Sequence, residues 1–184
     1  MSQGLPTTSY ALLGLLSFGD DLTGYELKQR ADSTLRFYWV SPAMSQVYTE
    51  LARLTDRGLV RARQLDPGGP TRYQITGSGR RDLQQWLIEE PPDFPALKHP
   101  VALRLLLGHL IEPAEVEAML VGYLAALAAR QQDLQAVRDG LEDRWASDDP
   151  FRFPRLVADW GLDYYQAERD VVGRLLTRLR TQTY

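Results

Sequence analysis

Two hydrophobic periods run along this chain, and the places where one gives way to the other mark out its elements. The run Tyr10-Ala11-Leu12-Leu13-Gly14-Leu15-Leu16 reads as a short apolar helix that stops at Gly19-Asp20-Asp21. A second helix opens at Thr23, where Thr23-Gly24-Tyr25-Glu26 has the form of a capping box. A third begins around Ser41-Pro42, carries Val47, Leu51 and Leu54 on one stripe, and ends at Gly58. The period then drops to two. Leu59 to Leu65 alternates, Asp66-Pro67-Gly68-Gly69-Pro70 is turn chemistry, and Thr71 to Ile75 alternates again, which predicts a β-hairpin. Thr76 suits the N-cap of a fourth helix through Leu83, Trp86 and Leu87.

Glu90-Pro91-Pro92-Asp93-Phe94-Pro95 cannot continue a helix, because proline removes a donor and clashes with the preceding turn. The expected division is therefore residues 1–90 and 96–184. The second part reads as all helical: a short helix over roughly 98–110, a long one from Glu112-Pro113, and another after Ser147-Asp148-Asp149-Pro150. In the first long helix Leu120, Leu124, Leu127, Leu134, Val137, Leu141 and Trp145 form an apolar stripe. In the second, Val157, Trp160, Tyr164, Ala167 and Val171 step by 3 or 4, and Leu175 and Leu179 extend them. At 1.5 Å per residue each would be roughly 45 Å long. A short connecting helix offers too little surface to cover two such stripes, so a second copy of the chain is the expected cover, with C2 symmetry the commonest arrangement. The expected class is mostly α (α+β).

Composition narrows this picture without overturning it. The 184 residues are 44% hydrophobic, sufficient for a packed core, and carry a net charge of -3. There is no cysteine, hence no disulfide framework or thiolate chemistry, which fits a reducing cytoplasm. Residues 1–19 lack the features of a secretion signal, and the apolar stretches 11–18 and 101–111 fall short of a membrane span. Charge is unevenly distributed. Residues 36–81 hold eight arginines against three acids, a net of +5, whereas residues 91–184 hold 11 basic and 14 acidic side chains.

Helix, helix, helix, hairpin is the order of a winged helix-turn-helix, whose third helix lies in the DNA major groove. With Val47, Leu51 and Leu54 inward, the outward face holds Ser45, Thr49, Ala52 and Asp56, flanked by Gln46 and Arg53, with Tyr48 on the other shoulder. Small polar residues allow close approach to base edges, and Gln and Arg can bond them bidentately. Arg61, Arg63 and Arg72 on the hairpin stem are placed for phosphates.

At this point Ser9-Tyr10-Ala11-Leu12-Leu13-Gly14-Leu15-Leu16, Thr23-Gly24-Tyr25-Glu26-Leu27, Ser45 through Leu54, Arg57-Gly58-Leu59-Val60 and Tyr73-Gln74-Ile75-Thr76 with Trp86-Leu87 resemble, in order and spacing, the PadR family. The helical remainder resembles that family's C-terminal dimerisation region. The resemblance implies a homodimer binding a palindromic operator, usually as a repressor, with Tyr10, Gln46, Tyr48 and the wing at or near DNA. It also implies response to a signal, in some relatives an aromatic compound. This chain departs from the pattern in having Ala52 where many relatives are basic and a short Asp66 to Pro70 wing.

Catalytic chemistry is not expected. His99 and His109 do not have metal-pair spacing, and Gly77-Ser78-Gly79 lacks the lysine and preceding strand of a phosphate loop. Asp159, Asp163, Glu168 and Asp170 read as a solvated helix face. No cofactor or metal is expected. Trp145, Trp160, Tyr164 and Tyr165 are candidates for a pocket accepting a small aromatic effector, since flat π-faces with a polar edge suit such ligands; helix packing is the alternative role. Two other functions remain open: a winged helix used for protein contacts without DNA, and a helical carrier of a small ligand.

Overall fold

A computed structural model describes residues 4–64, 67–92, 98–141 and 148–182. The chain divides into two compact units, Met1–Phe94 and Pro95–Tyr184.

The N-terminal unit contains α1 (Thr7–Leu16), β1 (Leu22–Thr23), α2 (Gly24–Thr34), a 3-10 turn (Leu35–Phe37), α3 (Met44–Asp56), β2 (Val60–Gln64), β3 (Thr71–Ile75) and α4 (Gly77–Glu89). The strands form one antiparallel sheet in the order β1-β3-β2. Short-range chemistry sets most boundaries. Thr23 Oγ1 accepts from the Glu26 amide at 3.1 Å, and the Thr23 amide donates to Glu26 Oε2 at 2.8 Å, so the capping box is complete. Thr76 caps α4 by accepting from the Gly79 amide at 3.0 Å. Gly58 ends α3 at φ +69°, a left-handed conformation that glycine takes without strain.

One boundary and one strand differ from the sequence reading. α3 starts at Met44, not at Ser41-Pro42, and the extended Ala43 is its N-cap. β1 was not foreseen, because two residues are too few to display alternation; Leu22 and Thr23 become a strand by pairing with Tyr73 and Arg72. Leu65 at the end of the first expected hairpin strand and Asp66 at the start of the expected turn lie outside the described residues.

One apolar cluster organises this unit. α1 is sealed over much of its circumference by Leu12, Leu13 and Leu16, α2 contributes Leu27, and α3 contributes Val47, Leu51 and Leu54, all fully buried. Val60, Ile75 and Leu83 close the cluster from the hairpin and α4. Burying the Val47, Leu51 and Leu54 stripe fixes the rotation of α3 about its axis and turns Ser45, Gln46, Thr49 and Ala52 to solvent.

The C-terminal unit contains α5 (Pro100–Leu106), a 3-10 turn (Gly108–Leu110), α6 (Pro113–Asp139) and α7 (Arg152–Gln182). α6 and α7 run antiparallel, with Glu117 bonded to Arg180 at one end and Arg138 to Asp159 at the other. Of the stripe expected on α6, Leu120, Leu127 and Leu134 are buried, and Leu124, Val137 and Leu141 partly so; Trp145 lies outside the described residues.

The stripe expected on α7 needs correction. The residues buried there are Ala158, Val172 and Leu176, while Trp160, Tyr164, Ala167 and Val171 are exposed. The buried face is rotated by about one residue because close helix packing selects small side chains at the contact. A Cβ added to Gly161 would stand 2.7 Å from Leu134 Cδ2, so glycine and Ala158 let the two axes approach where Trp160 could not. The two long helices therefore cover each other through α7's smaller face. Its aromatic face remains uncovered.

Candidate nucleic-acid interface

α3 presents Ser45, Gln46, Tyr48, Thr49 and Ala52 on its exposed side. Thr49 Oγ1 donates to the Ser45 carbonyl at 3.0 Å. Arg53 is partly buried, its Nη1 on Glu50 Oε2 at 2.9 Å and on Oε1 at 3.1 Å. Glu50 itself is buried and accepts from the Ser9 hydroxyl of α1. This carboxylate was missed as a structural element, although the signal was present. Position 50 lies three residues after Val47 and four before Leu54, on the inward face, where an acid must be partnered. The Ser9–Glu50–Arg53 chain thus ties the rotation of α3 to α1 and restrains one arginine at the helix surface.

On the hairpin, Arg61 and Arg63 are exposed and have no carboxylate partner among the described residues. Arg63 stands opposite Arg72 in the β2–β3 register. Arg72 is differently situated: Nη1 donates to the Asp21 carbonyl at 2.6 Å and approaches Glu26 Oε2 at 3.4 Å. The capping hydrogen bonds from Thr23, and after them the Arg72 charge, hold the Glu26 carboxyl below the usual carboxylate range. Arg72 accordingly fastens β3 to the start of α2, which draws part of its donor capacity inward. The resemblance implies Tyr10 at or near DNA, but in this unit its side chain packs inward. Tyr10 is buried, its ring stacked on Trp86 with centroids 4.5 Å apart and planes 9° from parallel. Burial, then the Asp82 and Glu90 charges, raise its hydroxyl pKa. An apolar helix packed from both sides leaves no room for that ring at the surface.

A model of the transcriptional regulator PadR-like family matches residues 12–85, and a model of the virulence activator alpha C-terminal family matches residues 97–180. The negative transcriptional regulator PadR of Bacillus subtilis (strain 168) is 31% identical over 147 residues, covering 78% of each chain. This chain belongs to the PadR-like transcriptional regulator family. The crystal structure of Bacillus subtilis PadR in complex with operator DNA superposes with a TM-score of 0.82 at 25% identity, covering 95% of this chain and 99% of that one. The structure of the same protein in complex with p-coumaric acid gives 0.79 at 26% identity, with the same coverage. The winged helix-turn-helix inferred from element order is thus the fold of this PadR-like chain, and transcriptional regulators are not an enzyme class.

Of the remaining candidates, Trp145 lies outside the described residues and the other three lie on α7. Trp160 and Tyr164 are exposed, and Tyr165 is partly buried with its ring edge-on to Tyr164 at 6.1 Å. The histidines are separated. His109 is exposed, whereas His99 caps α5 by accepting from the Ala102 amide on Nδ1 at 3.0 Å. The other ring nitrogen, Nε2, therefore carries the proton and faces Glu168 Oε1 at 2.8 Å, with the Tyr123 hydroxyl 3.2 Å away. Burial, and next the Glu168 carboxylate, push the Tyr123 hydroxyl up to about 12. Among the described residues no His, Asp and Glu cluster of metal-binding size occurs, and no helix is long and apolar enough to cross a membrane.

Proposed function

We propose that this chain is a cytoplasmic, non-enzymatic repressor that binds a palindromic operator as a homodimer. The observation that carries this reading is the surface of the N-terminal unit. There the exposed polar face of α3 adjoins a hairpin whose Arg61 and Arg63 project to solvent, in a segment with a net charge of +5. Gln46 and Thr49 are assigned to base edges, Ser45, Tyr48, Arg53, Arg61 and Arg63 to the phosphate backbone, and Arg72 to bracing the wing. Likeness to the Bacillus subtilis negative regulator, whose structure contains operator DNA, supports the same assignment.

Homodimerisation is supported by the apolar surface left open in the C-terminal unit: Leu106 at the end of α5, Leu110 in the 3-10 turn after it, and Phe153, Leu156, Trp160 and Tyr164 on α7. Contact between copies through this surface would set the spacing of two half-sites. Release from DNA is assigned to a small aromatic acid, because the Bacillus subtilis relative was crystallised with p-coumaric acid. Such a ligand lowers operator affinity only as far as it prefers the DNA-incompetent state.

The test is selection of bound duplexes from random DNA by the purified protein. The expected result is a palindrome with half-sites about one helical turn apart. Gln46→Ala should then relax preference at particular base pairs, costing about 1–3 kcal/mol on the best site. Failure to enrich any sequence overturns DNA binding. An unchanged operator affinity in saturating p-coumaric acid removes that compound as the effector.

A further inference from the structure

Gly24 is the first residue of α2, directly after the Thr23 cap, and it is buried. Its backbone does not require glycine, since the positive-φ glycines are Gly19, Gly58 and Gly68. At such a position alanine would be the better helix former. The need for glycine is spatial. A Cβ built at Gly24 would fall 2.5 Å from Tyr48 Cε1, 2.8 Å from Cζ and 3.1 Å from the hydroxyl oxygen. The tip of the Tyr48 ring therefore rests on the bare backbone at the start of α2.

Three elements meet there. Tyr48 belongs to α3, Gly24 opens α2, and β1, immediately before Gly24, pairs through Leu22 with Tyr73 of β3. Burial raises the Tyr73 hydroxyl pKa, and the nearby Tyr48 adds to the effect, so the two phenols lie within electrostatic reach. Tyr48 is 48% exposed, and its hydroxyl makes no hydrogen bond among the described residues. An ordered, half-exposed hydroxyl without an internal partner, beside Ser45 and Thr49, is available to a phosphate oxygen.

We propose that Gly24 is a positioning residue for Tyr48: the missing Cβ holds the Tyr48 hydroxyl at the junction of the recognition helix and the wing, where it bonds a DNA phosphate. The inference rests on the DNA-binding reading above. What must yield to an added methyl is the free end of a surface side chain, so the fold tolerates Gly24→Ala while the hydroxyl moves. Gly79 is the contrast, because a Cβ there would meet the Leu59 carbonyl oxygen at 2.1 Å, and backbone cannot swing aside.

The experiment is a cycle of Gly24→Ala, Tyr48→Phe and the double variant. It measures affinity for the highest-affinity duplex selected by the wild-type protein and for a scrambled duplex of equal length, across a salt series, with thermal midpoints. Each single variant should bind both duplexes about tenfold more weakly, as one charge-assisted hydrogen bond warrants. The slope against salt should not change, since no ionic contact is lost. The double variant should bind no more weakly than Gly24→Ala alone, and the midpoint of Gly24→Ala should equal or exceed that of wild type. Wild-type affinity in Gly24→Ala, multiplicative losses in the double variant, or a lowered midpoint accompanying the loss would each overturn the positioning role. If the wild-type protein selects no DNA, the functional reading itself falls and this inference with it, a result distinct from all three.

Discussion

The N-terminal unit gathers leucines from α1, α2 and α3 with Val60, Ile75 and Leu83 into one sealed cluster. In the C-terminal unit the main buried cluster consists of Val116, Leu120, Val172 and Leu176, while Leu103, Leu106, Leu110, Ile111, Phe153, Leu156, Trp160, Tyr164 and Val171 remain exposed. The N-terminal unit also exposes apolar side chains, among them Trp39, Val40 and Ile88, but these lie between α2 and α3 or near the end of α4, outside a complete core. A unit that folds around its own interior can serve as a rigid reader. A pair of long helices with an open apolar face would gain stability from any surface that covers it.

The sharpest way to break this comparison is to delete the same side chain in both units. Leu54→Ala, in the sealed cluster, should cost about 2–5 kcal/mol in urea unfolding. Leu106→Ala, at 74% exposed, should change the stability of the dilute monomer by less than about 0.5 kcal/mol. Equal losses would mean that the C-terminal unit has a complete core of its own. Next in size is Trp160→Glu, which places a charge on the open face of α7. Association should weaken by about 2 kcal/mol, roughly thirtyfold, with helicity retained. Sedimentation showing wild-type monomer at micromolar concentration would remove the need for a covering copy.

The smallest effect is alkaline. Tyr123 ionises at about 12 in the folded protein, above the ordinary phenol value near 10. A raised folded-state pKa means its stabilisation is complete below about 10 and is lost as pH rises toward about 12, because the unfolded chain releases the proton first. Tyr123→Phe should therefore flatten the fall in stability between about pH 10 and about pH 12. Tyr73→Phe, in the N-terminal unit, should flatten it less. An unchanged alkaline limb in Tyr123→Phe would show that this phenol is not held by its surroundings.

Local chemistry made much of the fold legible. The capping box at Thr23, the Thr76 cap, the left-handed Gly58 and the alternation of the hairpin each depend on atoms within a few residues, so they can be read along the chain. The exposed face of α3 was equally readable, because three inward apolar residues determine which side faces out. Contacts across long separations could not be read this way. Nothing near Arg72 in the sequence indicates that Asp21 and Glu26 would engage its guanidinium. Tyr10 was drawn under Trp86 by packing of α1 on α4, and β1 exists only because β3 runs beside it.

The aromatic positions of α7 show the limit most clearly. Their 3–4 spacing establishes an amphipathic helix but not which of two adjacent faces meets α6, since a helix rotated by about one residue satisfies the pattern nearly as well. Close packing decided it, with Gly161 against Leu134 permitting an approach that Trp160 would prevent. The sequence by itself determined that two long amphipathic helices exist, because amphipathicity is a one-dimensional property. Which residues they bury against each other, and which they leave exposed, was decided in three dimensions, where side-chain volume at each contact sets how near two helix axes can come.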